Sequence, residues 1–172
     1  ARVKGNPDAS VTLVEYSDFQ CPACSQFYPY IKDIMEEHGD NIRFEYRHFP
    51  LINIHPQAVP AAKAAEAAGV QGKFWEMHDK LFENQSAWSR SSTPQAFFRE
   101  YAEEIGLDMD LFDRHMDSSV IADAITASFN EARDRGFTGT PTLLLNDEVM
   151  EFSTFDEFNE QIEAAVNNGE ES

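Results

Sequence analysis

Val11-Thr12-Leu13-Val14-Glu15-Tyr16-Ser17 runs directly into Asp18-Phe19-Gln20-Cys21-Pro22-Ala23-Cys24. The first seven residues are apolar and β-branched and read as a strand. A short loop follows, and Pro22 opens a helix. Proline suits the first helical turn, where its missing N–H would have no partner anyway. The helix is expected to end near His38, at Gly39. Ile42–His48 alternates and reads as a second strand, so the chain starts as a βαβ unit whose two strands should be parallel.

The two cysteines, Cys21 and Cys24, sit three apart at the helix N-terminus. They are the only cysteines in the chain. At that spacing their sulfurs can reach bonding distance. The first sulfur faces unpaired N–H groups and the positive end of the helix dipole. Such surroundings favour thiolate and lower a cysteine pKa from about 8.5 to roughly 3.5–7.5. Cys21 is expected to be the exposed nucleophile and Cys24 the buried resolving thiol. Pro22 and Ala23 between them carry no charge and no side-chain donor. A zinc half-site is the first alternative, but structural zinc wants four ligands and no histidine lies at ligand-like spacing. An inert buried pair is the second.

Two further features bear on the choice. Glu15 lies six residues before Cys21 in a strand that should be central, where a carboxylate is costly without a task. Burial would raise its pKa toward neutrality and suit it to shuttle protons to and from Cys24. The competing expectation is a Glu15 near the strand's exposed end, paired with Lys or Arg. In Gly139-Thr140-Pro141-Thr142, proline starts a strand. A cis bond at Thr140–Pro141 would leave the backbone of Thr140 free to pair with a substrate strand beside Cys21.

Elsewhere, helices are expected over 56–68, 73–84, 93–105, 108–117 and 119–135, with Thr93 capping the third ahead of Pro94. Strands return at Thr142–Leu145 and at 149–152, across a turn at Asn146-Asp147. A last helix begins at Ser153-Thr154 with Glu157 completing a capping box, and Phe155, Phe158, Ile162 and Val166 form its apolar stripe. Its tail, 169–172, should fray. Trp75 reads as core. Trp88, in a polar stretch, is a candidate for lining a substrate groove. His48 and His55 read as structural.

The 172 residues, 42% hydrophobic with 14 Phe, suit one aromatic-rich core. Asp and Glu number 31 against 13 Lys and Arg, a net charge of −18. Such a surface repels phosphate backbones and anionic membranes, so no nucleic-acid partner is expected. No run approaches the ~18 apolar residues of a membrane span, and no leader precedes Ala1. Either the protein is cytosolic or a leader is missing.

Together these stretches resemble the bacterial DsbA-like branch of the thioredoxin superfamily. The resemblance runs from Gly5-Asn6-Pro7-Asp8-Ala9 through Tyr16 to Cys24. It continues in Arg47-His48-Phe49-Pro50-Leu51, His55-Pro56 and Gly72-Lys73-Phe74-Trp75, and ends in Gly136-Phe137-Thr138-Gly139-Thr140-Pro141-Thr142. It implies an α/β thioredoxin fold, a central mixed sheet flanked by helices, as a single domain over 1–172. A helical subdomain is inserted over approximately 56–135. It implies a protein thiol–disulfide oxidoreductase, most simply a disulfide-forming oxidase. Cys21 attacks, Cys24 resolves, Glu15 is the acid beneath them and Pro141 the cis-proline. Pro22, Ala23, Thr140 and Pro141 meet the substrate. The expected partners are protein or peptide thiols and disulfides, and a redox partner such as a quinone-linked membrane oxidase. No cofactor or metal is called for, the protein should be a monomer, and the expected location is periplasmic or extracytoplasmic. The founding oxidases have histidine where this chain has Ala23, which implies a milder oxidant. A reductase or isomerase of the same fold, and a non-catalytic binding or chaperone module, are the alternatives.

Overall fold

A computed structural model describes residues 2–171. Among the described residues five strands form one sheet in the order β1-β3-β2-β4-β5. β2 (Val11–Ser17) and β3 (Ile42–His48) are parallel and joined by α1 (Pro22–His38), as the sequence predicts. β4 (Thr142–Leu145) runs antiparallel on the other side of β2. The sheet is therefore mixed, with β2 at its centre.

One face of the sheet carries the main core. Leu13 and Phe44 meet Phe27, Ile31 and Ile34 of α1 there, together with Phe158, Ile162 and Val166 of the last helix, α8 (Phe155–Glu171). These spacings of three and four put one stripe of each helix on the sheet. The other face is smaller. Tyr16, Leu144 and Phe49 pack there against Ala132 and Phe129 of α7 (Ser119–Asp134).

Between β3 and β4 come α2 (Ala58–Val70), α3 (Phe74–Glu83), α4 (Gln85–Trp88), α5 (Pro94–Glu104), α6 (Met109–Met116) and α7. α2 is alanine-rich because it is enclosed: Ala61, Ala64, Ala65, Ala67 and Ala68 are all fully buried. It also continues one residue past Gly69, its expected stop. A side chain at 69 would collide with the Arg2 guanidinium, so glycine there serves a close approach.

The structure departs from the sequence reading at several ends. β1 (Arg2–Gly5) was not expected. This short edge strand pairs antiparallel with β3, and Arg2 anchors it by an ion pair to Glu66 at 3.0 Å. The predicted strand at 149–152 is instead β5 (Glu148–Val149). A two-residue turn, with Asn146 at φ 50° and Asp147 at φ 70°, fixes Val149 opposite Leu144, and the chain then leaves the sheet. Thr93 makes no capping hydrogen bond; Ser91 Oγ accepts from its N–H instead. The capping box forms in part: Thr154 Oγ1 accepts from Glu157 N, while the Glu157 carboxylate accepts from Ser153 N, one residue ahead of the cap. The expected fraying of 169–172 is corrected as well. α8 stays helical to Glu171 with Gly169 lying against Ser10, and Ser172 is outside the described residues.

Candidate active site

Cys21 is the N-cap residue of α1, with extended backbone (φ −69°, ψ 121°), and Cys24 sits one turn in. Cys24 is fully buried. Cys21 is less open than expected, at 7% exposure, because the Thr140 carbonyl lies 3.6 Å from its sulfur and accepts from the thiol. Pro22 and Ala23 are exposed at the helix tip. The Thr140–Pro141 peptide bond is cis.

The two thiols are chemically unequal. The Cys21 pKa is held down to about 5. The neighbouring Cys24 thiol contributes most by hydrogen bonding to the thiolate. The Thr140 side-chain hydroxyl and the backbone N–H groups of Ala23 and Cys24 add to it, against the opposing effect of burial. Cys24 is pushed well up, first by burial, then by its hydrogen bond to Cys21 and by the Glu15 charge. At neutral pH this helix end thus holds one thiolate and one thiol.

Glu15 lies in the centre of the sheet, opposite Tyr46 of β3 and Leu143 of β4, and is 3% exposed. Strand alternation puts it on the α1 face with Leu13 and Ser17. Among the described residues no Lys or Arg pairs with it, so the exposed, ion-paired placement does not occur. Its pKa is raised to about 8 by burial and, secondarily, by the Cys21 charge. Glu45, on the opposite face and 5% exposed, shows the contrast, since it is paired with both Arg43 and Arg47. Beside Glu15, the Ser17 and Tyr46 hydroxyls are buried without a hydrogen-bond partner of normal geometry. The ground beneath Cys24 is therefore polar and under-satisfied, which native cores ordinarily avoid.

Asp18 organises the loops around the thiols, and sequence reasoning gave it no role. Its side chain is wholly buried. Oδ1 accepts from Gln20 N at 2.8 Å, while Oδ2 accepts from Leu51 N at 2.9 Å and from His55 Nδ1 at 2.6 Å. Its carbonyl accepts from Cys21 N at 3.1 Å. An aspartate two residues before a turn amide is an Asx-turn signal, so this much was legible in Asp18-Phe19-Gln20. His55 is accordingly structural. So is His48, whose Nε2 lies 3.0 Å from Glu66. Gln85 was also missed. From α4 its amide donates to the carbonyls of Phe19 and Cys21 at 2.7 and 2.9 Å, across a sequence distance no local pattern reveals. Trp88 does not line a groove: it is fully buried, and its Nε1 donates to Leu81 O at 2.8 Å. Trp75 packs on the core with Nε1 donating to Val3 O.

Beside the thiols runs an open groove of about 700 Å³ between α1 and the β4–β5 hairpin. Ala23, Phe27, Pro141, Met150 and Phe152 line it. Neither cysteine belongs to a metal-like cluster among the described residues. The one such group, Glu37, His38 and Glu163, lies at the other end of α1, about 25 Å along the helix.

The family model described as Thioredoxin matches residues 1–164. A thioredoxin-like oxidoreductase from Silicibacter pomeroyi superposes with a TM-score of 0.79 at 28% identity, over 97% of this chain and 92% of that one. BdbD from Bacillus subtilis in its oxidised form gives 0.81 at 26%, over 96% and 92%. The Na(+)/H(+) antiporter NhaA 1 of Salinispora arenicola is 42% identical over 144 residues, which is 84% of this chain and 21% of the antiporter. The chain spans about a fifth of the length of such curated relatives.

Proposed function

The chain belongs to the thioredoxin family, and on that premise we propose that it is a thiol–disulfide oxidoreductase that passes a Cys21–Cys24 disulfide to protein substrates. One observation carries this: a capping, low-pKa Cys21 paired with a fully buried, high-pKa Cys24 on a single helix end. The likeness to the Silicibacter pomeroyi oxidoreductase and to BdbD supports it.

A substrate thiolate attacks Cys21 Sγ in the disulfide. The S–S bond breaks, a mixed disulfide forms, and the electron pair leaves on Cys24. Its high pKa makes Cys24 take a proton, and Glu15 holds one to give near neutral pH. A second substrate thiolate then attacks the substrate's own sulfur. Cys21 leaves as a thiolate stabilised by the helix end, and the substrate disulfide is released. The two electrons now on the enzyme pass to a redox partner, for which a quinone-linked membrane oxidase is our candidate. Pro22, Ala23, Thr140 and Pro141 meet the substrate beside Cys21. The chain acts as one thioredoxin-like unit with a helical insertion, as a monomer. It acts in the periplasm or another extracytoplasmic space, since oxidation is useful only where disulfides persist.

The reduction potential of the pair, measured by equilibration with glutathione, tests the direction. A value near or above about −180 mV supports the oxidase, whereas one near about −270 mV makes the protein a reductase. If no disulfide forms, a non-catalytic binding module takes its place. The identity to the NhaA 1 antiporter favours a second reading, in which the same thiol pair serves as a redox domain joined to a membrane transporter. The size of the native chain in isolated membranes decides that.

A further inference from the structure

Five large apolar side chains stand out of the described surface: Ile52, Ile54, Val70, Val120 and Val149. Three of them line grooves that reach the loops beside the thiols. Val149 lines the groove described above. Ile52 and Ile54, exposed by 52% and 67%, line a second groove of about 360 Å³, with Phe49, Phe129, Phe137 and Thr138. We propose that this second groove is a docking subsite for an extended, reduced protein substrate, taking apolar side chains a few residues from the substrate cysteine that reacts at Cys21. The proposal rests on the thiol exchange set out above.

Both walls of the groove are bonded to the reacting centre. Leu51, beside Ile52, donates its N–H to Asp18, whose carbonyl in turn accepts from Cys21 N. Thr138 is two residues from Thr140, a reach of at most about 7 Å, and the Thr140 carbonyl touches the Cys21 thiol. A strand laid along this segment with its cysteine at Cys21 presents alternate side chains toward the Thr138 end. The walls are aromatic and aliphatic, so they take apolar side chains. The one charged group in the lining is cationic: Arg133, whose guanidinium lies 5.8 Å from the Phe129 ring centre. The groove lining itself adds no acidic group to a chain of net charge −18. The two isoleucines are not scattered singly but flank one hollow with aromatic walls, and it is such clustering that distinguishes a binding surface from ordinary surface apolar residues.

The test compares two reductants of the oxidised protein. Dithiothreitol reads the thiol chemistry alone. Single-cysteine peptides carrying two leucines on the N-terminal side of the cysteine, on its C-terminal side, or on neither read the subsite. The variant is Ile52→Ser/Ile54→Ser, both positions being exposed. One leucine arrangement is expected to react about tenfold faster than the leucine-free peptide, and the double variant to lose that gain while its dithiothreitol rate is unchanged. No gain in either arrangement, or a gain that survives the double substitution, overturns the subsite. A wild-type protein that fails to react with dithiothreitol overturns the thiol exchange itself.

Discussion

The Thr140 carbonyl oxygen lies 3.6 Å from the Cys21 sulfur and covers it. Residues 119 positions apart in sequence thus share one reacting centre. It is the Thr140 side-chain hydroxyl, not this carbonyl, that helps lower the Cys21 pKa, and the Thr140 backbone leads on to both grooves that flank the site.

Alkylation of the reduced protein should report the asymmetry of the pair directly. Iodoacetamide is expected to modify Cys21 with a rate that rises through a midpoint near pH 5, while Cys24 stays unmodified in the folded state. Rate against pH, with the site assigned by mass spectrometry, measures this. A midpoint near the ordinary value of about 8.5 contradicts it.

Glu15 should make stability depend on pH in the opposite sense to a salt-bridged acid. Its folded pKa of about 8 lies above the ordinary value of 4.5. Between those values the unfolded chain releases a proton that the folded chain keeps, so this group's contribution falls as pH rises and is fully unfavourable above pH 8. Glu15→Gln is expected to gain on the wild type by a few kcal/mol between pH 5 and pH 8, measured by urea unfolding of the reduced proteins. A difference that does not change with pH contradicts the burial of an ionisable Glu15. In disulfide exchange the same variant should slow the release of Cys24.

Removing the Asp18 carboxylate should loosen the site from below. Asp18→Ala leaves the Gln20 and Leu51 amides and His55 Nδ1 without their acceptor. A loss of roughly 2–4 kcal/mol in denaturant unfolding is expected, with raised hydrogen exchange at Gln20 and Leu51. A loss under about 1 kcal/mol would show that solvent replaces the carboxylate freely.

Trp88 should prove structural. Trp88→Ala opens a cavity against Phe98 and loses the bond to Leu81 O, for a cost of about 3–5 kcal/mol. The exchange rate of the remaining folded protein is expected to change less than twofold. A large drop in rate at unchanged stability would return Trp88 to the substrate surface.

Asp147→Gly tests the hairpin register. Both turn residues hold positive φ, which glycine adopts at no steric cost, and the ion pair from Arg135 to the exposed Asp147 carboxylate is a surface one. A gain of about 0.5–1 kcal/mol is expected in thermal or urea unfolding. A loss would mean that the turn is not of the type its dihedrals indicate.

The sequence by itself determined the elements whose signals are local. Val11–Ser17, Pro22–His38 and Ile42–His48 fall where alternation, the N-terminal proline and the closing glycine put them. The cysteine spacing at a helix start, the Thr154–Glu157 cap and the βαβ order are local in the same way. Local, too, was the cost of a carboxylate in an apolar strand, which singled out Glu15. Only the tertiary structure decided what depends on chain segments far apart. β1 exists because its backbone pairs with the distant β3, an arrangement in which Arg2 also reaches Glu66, 64 residues away. Trp88 is core because α5 covers it, although its neighbours in sequence are polar. Gln85, Asp18 and His55 brace the site through bonds that span up to 66 residues. Propensity and periodicity report how a residue prefers to sit among its near neighbours. Burial and the pKa shifts that follow from it depend on which distant surfaces the packed chain brings over that residue, and no local pattern encodes them.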